Sequence, residues 1–351
     1  MQRNCFCGLG RAVLALMLVA SPVFSLAQSV DGKLDAFGFF DNVEGDDTYR
    51  QNMTHFGFRL APQLSITSAN GRHTLTGGWD ALMEPGMPEV FTDGTPIAYY
   101  KYDYQRLRFL FGAFPRTMMQ EPLSFYLVCD SMRYYRPSIT GFDFLWTADN
   151  GYLEAYLDWT SKQQLYAKEQ FMVGVSSRFH WGIFQAGLEG YLYHYAHDMA
   201  KYDTEQFVHD YVSAHPYVGL SLSKPWLLDT LDVKTGVLLG ADRDRAEDSW
   251  HVPVGFIGDL KAQKGRITVQ ETFYTGKSQQ HFGQAGFGEY YWGDPYQRSS
   301  WFSHTELSYE FLRDKDLSVS TGLMFNVANG GMNWHQLVTL NYTIGQRIKR
   351  W

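Results

Sequence analysis

From Tyr152 to Trp159 the chain alternates residue by residue: Leu153, Ala155, Leu157 and Trp159 against Tyr152, Glu154, Tyr156 and Asp158. Side chains in a strand point to opposite faces in turn, so this beat predicts a sheet with one apolar and one polar surface. The same period runs from Phe56 to Ile66, Phe184 to Leu192, Leu317 to Val327 and Val338 to Ile344. It predicts about 16 strands, beginning near Lys33, Thr54, Thr74, Ile97, Leu107, Ser138, Tyr152, Gln170, Ile183, Tyr211, Leu231, Val252, Arg266, Trp301, Leu317 and Gln336.

The connections between these segments alternate in length. Tight turns are expected at Ala69–Gly71, Tyr104–Arg106, Asp149–Gly151, His180–Gly182, Lys224–Trp226, Gln263–Gly265 and Arg313–Lys315. Asn-Gly and similar pairs suit such turns because both central residues take positive φ. Between them lie longer stretches: Asp41–Asn52, Glu84–Pro96, Pro115–Pro137, Ser161–Glu169, Ala196–His209, Asp242–Trp250, Gly276–Ser300 and Ala328–Trp334. An even number of strands with short turns on one side and long loops on the other is the plan of an all-β, up-and-down transmembrane barrel. A soluble sandwich would not need that alternation.

The N-terminus reads as a secretory signal at residues 1–27. Arg3 and Arg11 precede the apolar run Ala12–Ala20, and Ser25-Leu26-Ala27 forms a small-residue cleavage site. Residues 28–351 are then one exported domain, in which Cys129 is the lone cysteine and no internal disulfide can form. The chain is 17% aromatic and carries a net charge of −7, which loss of Arg3 and Arg11 makes more negative by two. That sign argues against nucleic acid as a partner. On these turns, loops and strand periods the chain resembles a Gram-negative outer-membrane porin-type barrel over essentially all of Gln28 to Trp351, including a terminal aromatic residue. The resemblance implies the bacterial outer membrane, contact with its lipid and passage of small polar solutes; a homo-oligomer is compatible with it.

Two faces follow. Phe56, Phe58, Leu60, Leu64, Ile66, Leu107, Phe109, Phe111, Ala113, Phe142, Phe144, Trp146, Val319, Leu323, Phe325 and Val327 are expected to meet lipid. Trp146 and Trp226 on the turn side, with Trp159 and Trp301 on the loop side, would form two interfacial girdles. Glu271 falls on the lipid face, where a charge is costly, so a bulge or a shifted register is expected near it. Arg347 and Lys349 share the face of Trp351 while Tyr342 and Ile344 do not, which calls for a bulge near Gly345 or a short tail.

The inward face collects charge in blocks: Arg59, Lys101, Arg106, Arg108 and Arg178 early, Asp143, Glu154, Asp158 and Glu189 in the middle, Glu306 and Glu310 late, with Tyr191, Tyr193 and Tyr195 between. One reading is a water-filled pore with opposed charge walls. The other is a closed barrel with paired charges inside, whose external loops bind a glycan or protein. The third long loop is unusually apolar, which fits a lid packed across the mouth or a contact surface for a partner; in the family the chain resembles, that loop folds inward and narrows the pore. This would place Arg116, Glu121, Asp130, Arg133 and Arg136 at a constriction. The aromatic stretch Gly276–Ser300 fits a loop that packs its own rings, a sugar platform or a partner surface.

Catalytic patterns are sparse. No G-x-S-x-G or H-E-x-x-H occurs, His194 and His197 lack a third ligand, and Asp41, Glu44, Asp46 and Asp47 lack calcium-loop spacing. The expectation is a chain without cofactor or metal that is not an enzyme but a porin-like channel for small polar solutes, with an outer-membrane enzyme acting at the loop-side rim as the third reading.

Overall fold

A computed structural model describes residues 27–350 apart from 47, 130, 163–168, 198–206, 246–248 and 283–291. Sixteen strands close into one barrel: β1 (Ala27–Gly45), β2 (Met53–Ser68), β3 (His73–Met83), β4 (Asp93–Tyr104), β5 (Leu107–Pro115), β6 (Ser138–Ala148), β7 (Gly151–Ser161), β8 (Glu169–Trp181), β9 (Phe184–His197), β10 (Phe207–Ser223), β11 (Thr230–Asp244), β12 (Val254–Lys264), β13 (Ile267–Gly276), β14 (Trp301–Arg313), β15 (Leu317–Ala328) and β16 (Gly331–Arg350). Each pairs antiparallel with its sequence neighbours, and β16 returns to β1, so the sheet has no free edge. The strand beat predicted this architecture. The turns do their part through left-handed residues such as Gly71, Gln105, Gly182 and Gly265.

The alternation fixes which side each residue meets. Phe56, Phe58, Leu60 and Leu64 are exposed on the outer face of β2, while Gly57, Arg59, Ala61 and Gln63 between them are buried. Trp226 protrudes from its turn with 93% of its surface exposed, and Trp301 begins β14 at the loop side. Some inward glycines make room for rings. A Cβ at Gly174 would sit 2.1 Å from the Tyr156 ring, so only glycine lets that ring lie flat on the inner wall.

Three expectations are corrected. The register of β13 is unbroken at Glu271, which pairs with Leu260 and Thr305, so no bulge turns it inward. Its carboxylate is held on the outer face by Ser303 Oγ (2.6 Å) and Thr305 Oγ1 (2.5 Å), which replace some of the water it lacks there. The register shift near the C-terminus falls at Val30/Asp31, opposite Ile348 rather than Gly345; Trp351 lies outside the described residues. Arg106 does not face the lumen. It sits exposed in the β4–β5 turn and bridges Asp149 of the next turn at 2.6 Å.

The rim is uneven. β2 pairs with β3 only up to Phe58↔Met83, so Met53–Gly57 rise five residues above the top of β3. On the other side β2 stays paired with β1 as far as Val43↔Met53. The seam β16–β1–β2 is therefore a tall stretch of wall standing beside a low one.

Candidate active site

The loop-side half of the lumen is filled. Residues 116–137, between β5 and β6, descend into it and carry the short helix α1 (Ser131–Tyr135). The apolar residues of this loop explain the descent: Tyr126, Leu127 and Met132 are 0–1% exposed, packed with inward Tyr191, Tyr193, Tyr195, Tyr211 and Tyr274, while Tyr134 is buried against Phe39 and Leu82. The loop after β13 packs on the third one: Cys129 N donates to Trp292 O (2.7 Å), and Arg136 lies 4.8 Å above the Trp292 ring. Phe287, Tyr290 and Tyr291 lie outside the described residues.

The inward charges turn out to be where the third loop is fastened. Arg108 donates to Asp143 (3.0 Å) and Glu154 (2.6 Å), and Glu154 also accepts from the backbone of Gln120 (3.0 Å). Arg116 pairs with Asp158, Glu121 with Arg178 (2.7 Å), and Ser124 with Glu189. Arg59 grips Asp80 (2.8 Å) and the Tyr134 carbonyl (2.8 Å), and Arg133 lies over Phe37. Asp130 lies outside the described residues. Tyr126 at the loop's centre donates to Asp259 (3.1 Å), and burial pushes its phenol well above the ordinary tyrosine range. Lys101 reaches Asp103 (3.6 Å) and Glu310 pairs with Arg313, both near the turns, while Glu306 faces inward between His304 and Ser308 on β14. Opposed walls of free charge are therefore replaced by local pairs between loop and wall.

One cluster differs in kind. At the loop end of the seam, Asp41 of β1, His55 of β2 and His335 of β16 face inward against α1. Asp41 accepts from His335 Nδ1 (3.1 Å) and from the Tyr134 hydroxyl (3.2 Å), and Arg50 approaches His335 Nε2 at 3.3 Å. His335, Asp41 and Tyr134 are 1–2% exposed, and this triplet is fully committed. His55 is only half-buried. Its Nδ1 lies 2.9 Å from the Tyr135 hydroxyl, and the carboxylate of Glu84, the first residue after β3, acts on that phenol. With its proton turned toward the Glu84 carboxylate, the Tyr135 oxygen accepts from His55 Nδ1–H and leaves Nε2 as the lone-pair nitrogen. Burial and Glu84 push the Tyr135 phenol up to about 12, so it keeps its proton across the working range. A histidine oriented through Nδ1 by a relay ending in a carboxylate has the makings of a general base.

Beside it on the outer rim lies a cavity of about 520 Å³ lined by Asn42, Glu44, Asn52, Met53, Thr54 and Trp334. Thr54 donates to Asn42 (2.6 Å), which donates to Glu44 (2.9 Å). In the sequence Asp41 and Glu44 stand out only as an acidic cluster without calcium-loop spacing, and no motif marks His55 or His335. Their signal was parity: His55 shares the inward beat with Arg59, and His335 with Asn333. A second pair, His194 Nδ1 and Asp210 at 2.6 Å, lies on the outer face, but Arg245 occupies the other Asp210 oxygen at 2.9 Å. The His197 side chain lies outside the described residues. Among the described residues no group of three or more His, Cys, Asp or Glu is placed to hold a metal.

A family model described as lipid A 3′-O-deacylase-type matches residues 24–351. This overturns the expectation that the chain is not an enzyme. No curated protein matches. Solved outer-membrane proteins share the fold: a loop-deletion variant of OmpT from Vibrio cholerae (TM-score 0.52, 10% identity, 91% of this chain and 100% of that one), OmpF from Salmonella typhi (0.51, 11%, 91% and 99%) and OpdK from Pseudomonas aeruginosa (0.50, 10%, 90% and 99%).

Proposed function

Since the chain belongs to the lipid A 3′-O-deacylase-type family, we propose that it is an outer-membrane hydrolase that removes an ester-linked acyl chain from a lipid A-type glycolipid. The observation that carries this reading is the His55–Tyr135 contact beside Glu84 at the loop end of the seam. His55 Nε2 takes a proton from water, whose oxygen attacks the ester carbonyl. The carbon–oxygen bond to the sugar then breaks, His55 returns the proton to the sugar oxygen, and a free fatty acid leaves. The rim cavity with Asn42, Glu44 and Thr54 offers hydrogen-bond partners for sugar hydroxyls and amides.

The test is mass spectrometry of lipid A from cells producing the protein or its His55→Gln variant, with both shown to be folded barrels by heat-modifiable migration. The expected result is lipid A lighter by one acyl chain with the natural protein and unchanged lipid A with the variant. Unchanged lipid A in both would overturn the reading. A second reading keeps a passive channel, favoured by partly exposed inward charges in the turn-side half, such as Lys33 and Lys101. Steady open current in planar bilayers would support it, and a silent membrane would remove it.

A further inference from the structure

The tall seam beside a low wall has a counterpart on the outer face. Leu34 of β1, Leu60 and Pro62 of β2 and Trp79 and Ala81 of β3 line a groove of about 580 Å³, closed on the far side by Phe91 at the end of the loop after β3. These strand residues sit on the lipid-facing parity, so the groove opens into hydrocarbon and not into water. The loop 84–92 keeps an apolar surface outward as well: Met87, Val90 and Phe91 are 53–72% exposed, unlike a loop meant for solvent. It is fastened at its far end by Thr92 N to Leu82 O (2.9 Å). Gly94 lets the chain approach Trp79, since a Cβ there would meet the indole Nε1 at 2.6 Å.

The same loop connects groove and relay. Glu84 at its start acts on the Tyr135 phenol, and Phe91 at its end walls the groove. Leu60 lies five residues below His55 on β2, about 17 Å along the strand at ~3.4 Å per residue. Over Met53–Gly57 the wall has no β3 beside it, so a lipid in the outer leaflet can lean its headgroup across the lip while its tails stay outside.

We propose that this groove binds one acyl chain of the glycolipid whose ester is presented to His55, and that the loop 84–92 clamps it. The proposal rests on the hydrolase reading for the role of the bound lipid, whereas binding itself can be measured without turnover.

The experiment uses the full-length protein in vesicles doped with lipid A carrying a diazirine midway along its acyl chains. A parallel set contains phosphatidylethanolamine with the same label. After irradiation, crosslinked peptides are mapped by mass spectrometry. Lipid A label on the peptides holding Trp79, Ala81 and Phe91 is expected to exceed that on the equally lipid-facing Leu323 and Phe325 by at least tenfold. Ala81→Trp, which fills the groove with an apolar group and leaves the barrel folded, should remove that excess. Phosphatidylethanolamine should show none. Equal labelling of both regions, equal labelling by both lipids or persistence of the excess in Ala81→Trp would each overturn the groove. If the excess is found but lipid A keeps all its chains, the groove stands and the hydrolase reading falls.

Discussion

Ser124 donates twice to one oxygen of Glu189, through its backbone N–H (2.9 Å) and its hydroxyl (2.8 Å). Lys234 approaches the other oxygen at 3.5 Å, so a 5%-exposed carboxylate on β9 holds the middle of the third loop inside the barrel. Removing one partner of a buried charged group costs about 3–5 kcal/mol, because the remaining groups stay buried without compensation.

Glu189→Ala should therefore free the third loop while the barrel itself stays closed. Limited proteolysis should cut within residues 116–137 of the variant and spare the natural chain. Single-molecule conductance should rise in parallel. A loop still protected in the variant would show that other anchors, such as Glu154 with Gln120, suffice.

Catalysis through His55 predicts a rate that rises from acid pH as the imidazole loses its proton, with a midpoint below the ordinary histidine value because burial disfavours the charged ring. Tyr135, with its phenol near 12, should impose no loss on the basic side below about pH 11. His55→Gln should lower kcat by about 10²–10⁴, the usual span for a general base. Tyr135→Phe breaks the relay but spares the base, so kcat should fall by about tenfold, the weight of one orienting hydrogen bond. An acid limb that survives in His55→Gln would assign the titration to another group.

Glu271 makes a prediction of the opposite sign. A carboxylate on the lipid face costs stability, though less than the ~2–4 kcal/mol of a basic residue at the midplane. Glu271→Leu should raise the urea midpoint for unfolding from vesicles, by an amount worth about 1 kcal/mol. A lower midpoint would mean that the bonds from Ser303 and Thr305 outweigh the cost of placing the charge there.

Asp229, exposed in the β11 turn, is held below its ordinary 3.8 by the backbone N–H of Gly265 (2.6 Å) and by Lys264 (3.1 Å). A carboxyl whose folded value is depressed contributes stability above its unfolded value, and that contribution is lost as pH falls through the folded one. The protection factor of the Gly265 amide should therefore fall as pH drops below about 4 in the natural chain. Asp229→Asn should flatten that dependence. Equal profiles would remove Asp229 as the cause.

How much was legible beforehand follows from what each pattern constrains. A period of two leaves no freedom in which face a residue takes, so Phe56, Arg59 and Leu323 were placed by sequence alone. Register and strand ends depend on neighbours, and Arg106 was misplaced because a residue beside a turn belongs to neither face. The apolar residues of the third loop are legible as a packing surface and the family resemblance implies its inward fold, but neither shows that Glu154 and Glu189 fasten it. The relay was hidden because its members, His55, Glu84 and Tyr135, come from a strand, a loop start and a helix that only the closed barrel brings together. Spacing along a chain carries no signal for such a meeting.

The five residues of β2 that outreach β3 have a kinetic consequence. A site entered over a low lip in the wall draws its substrate from a two-dimensional fluid and not from the bulk medium. Its saturation should then follow the mole fraction of glycolipid in the leaflet, and diluting the vesicles in buffer should leave the turnover per protein unchanged.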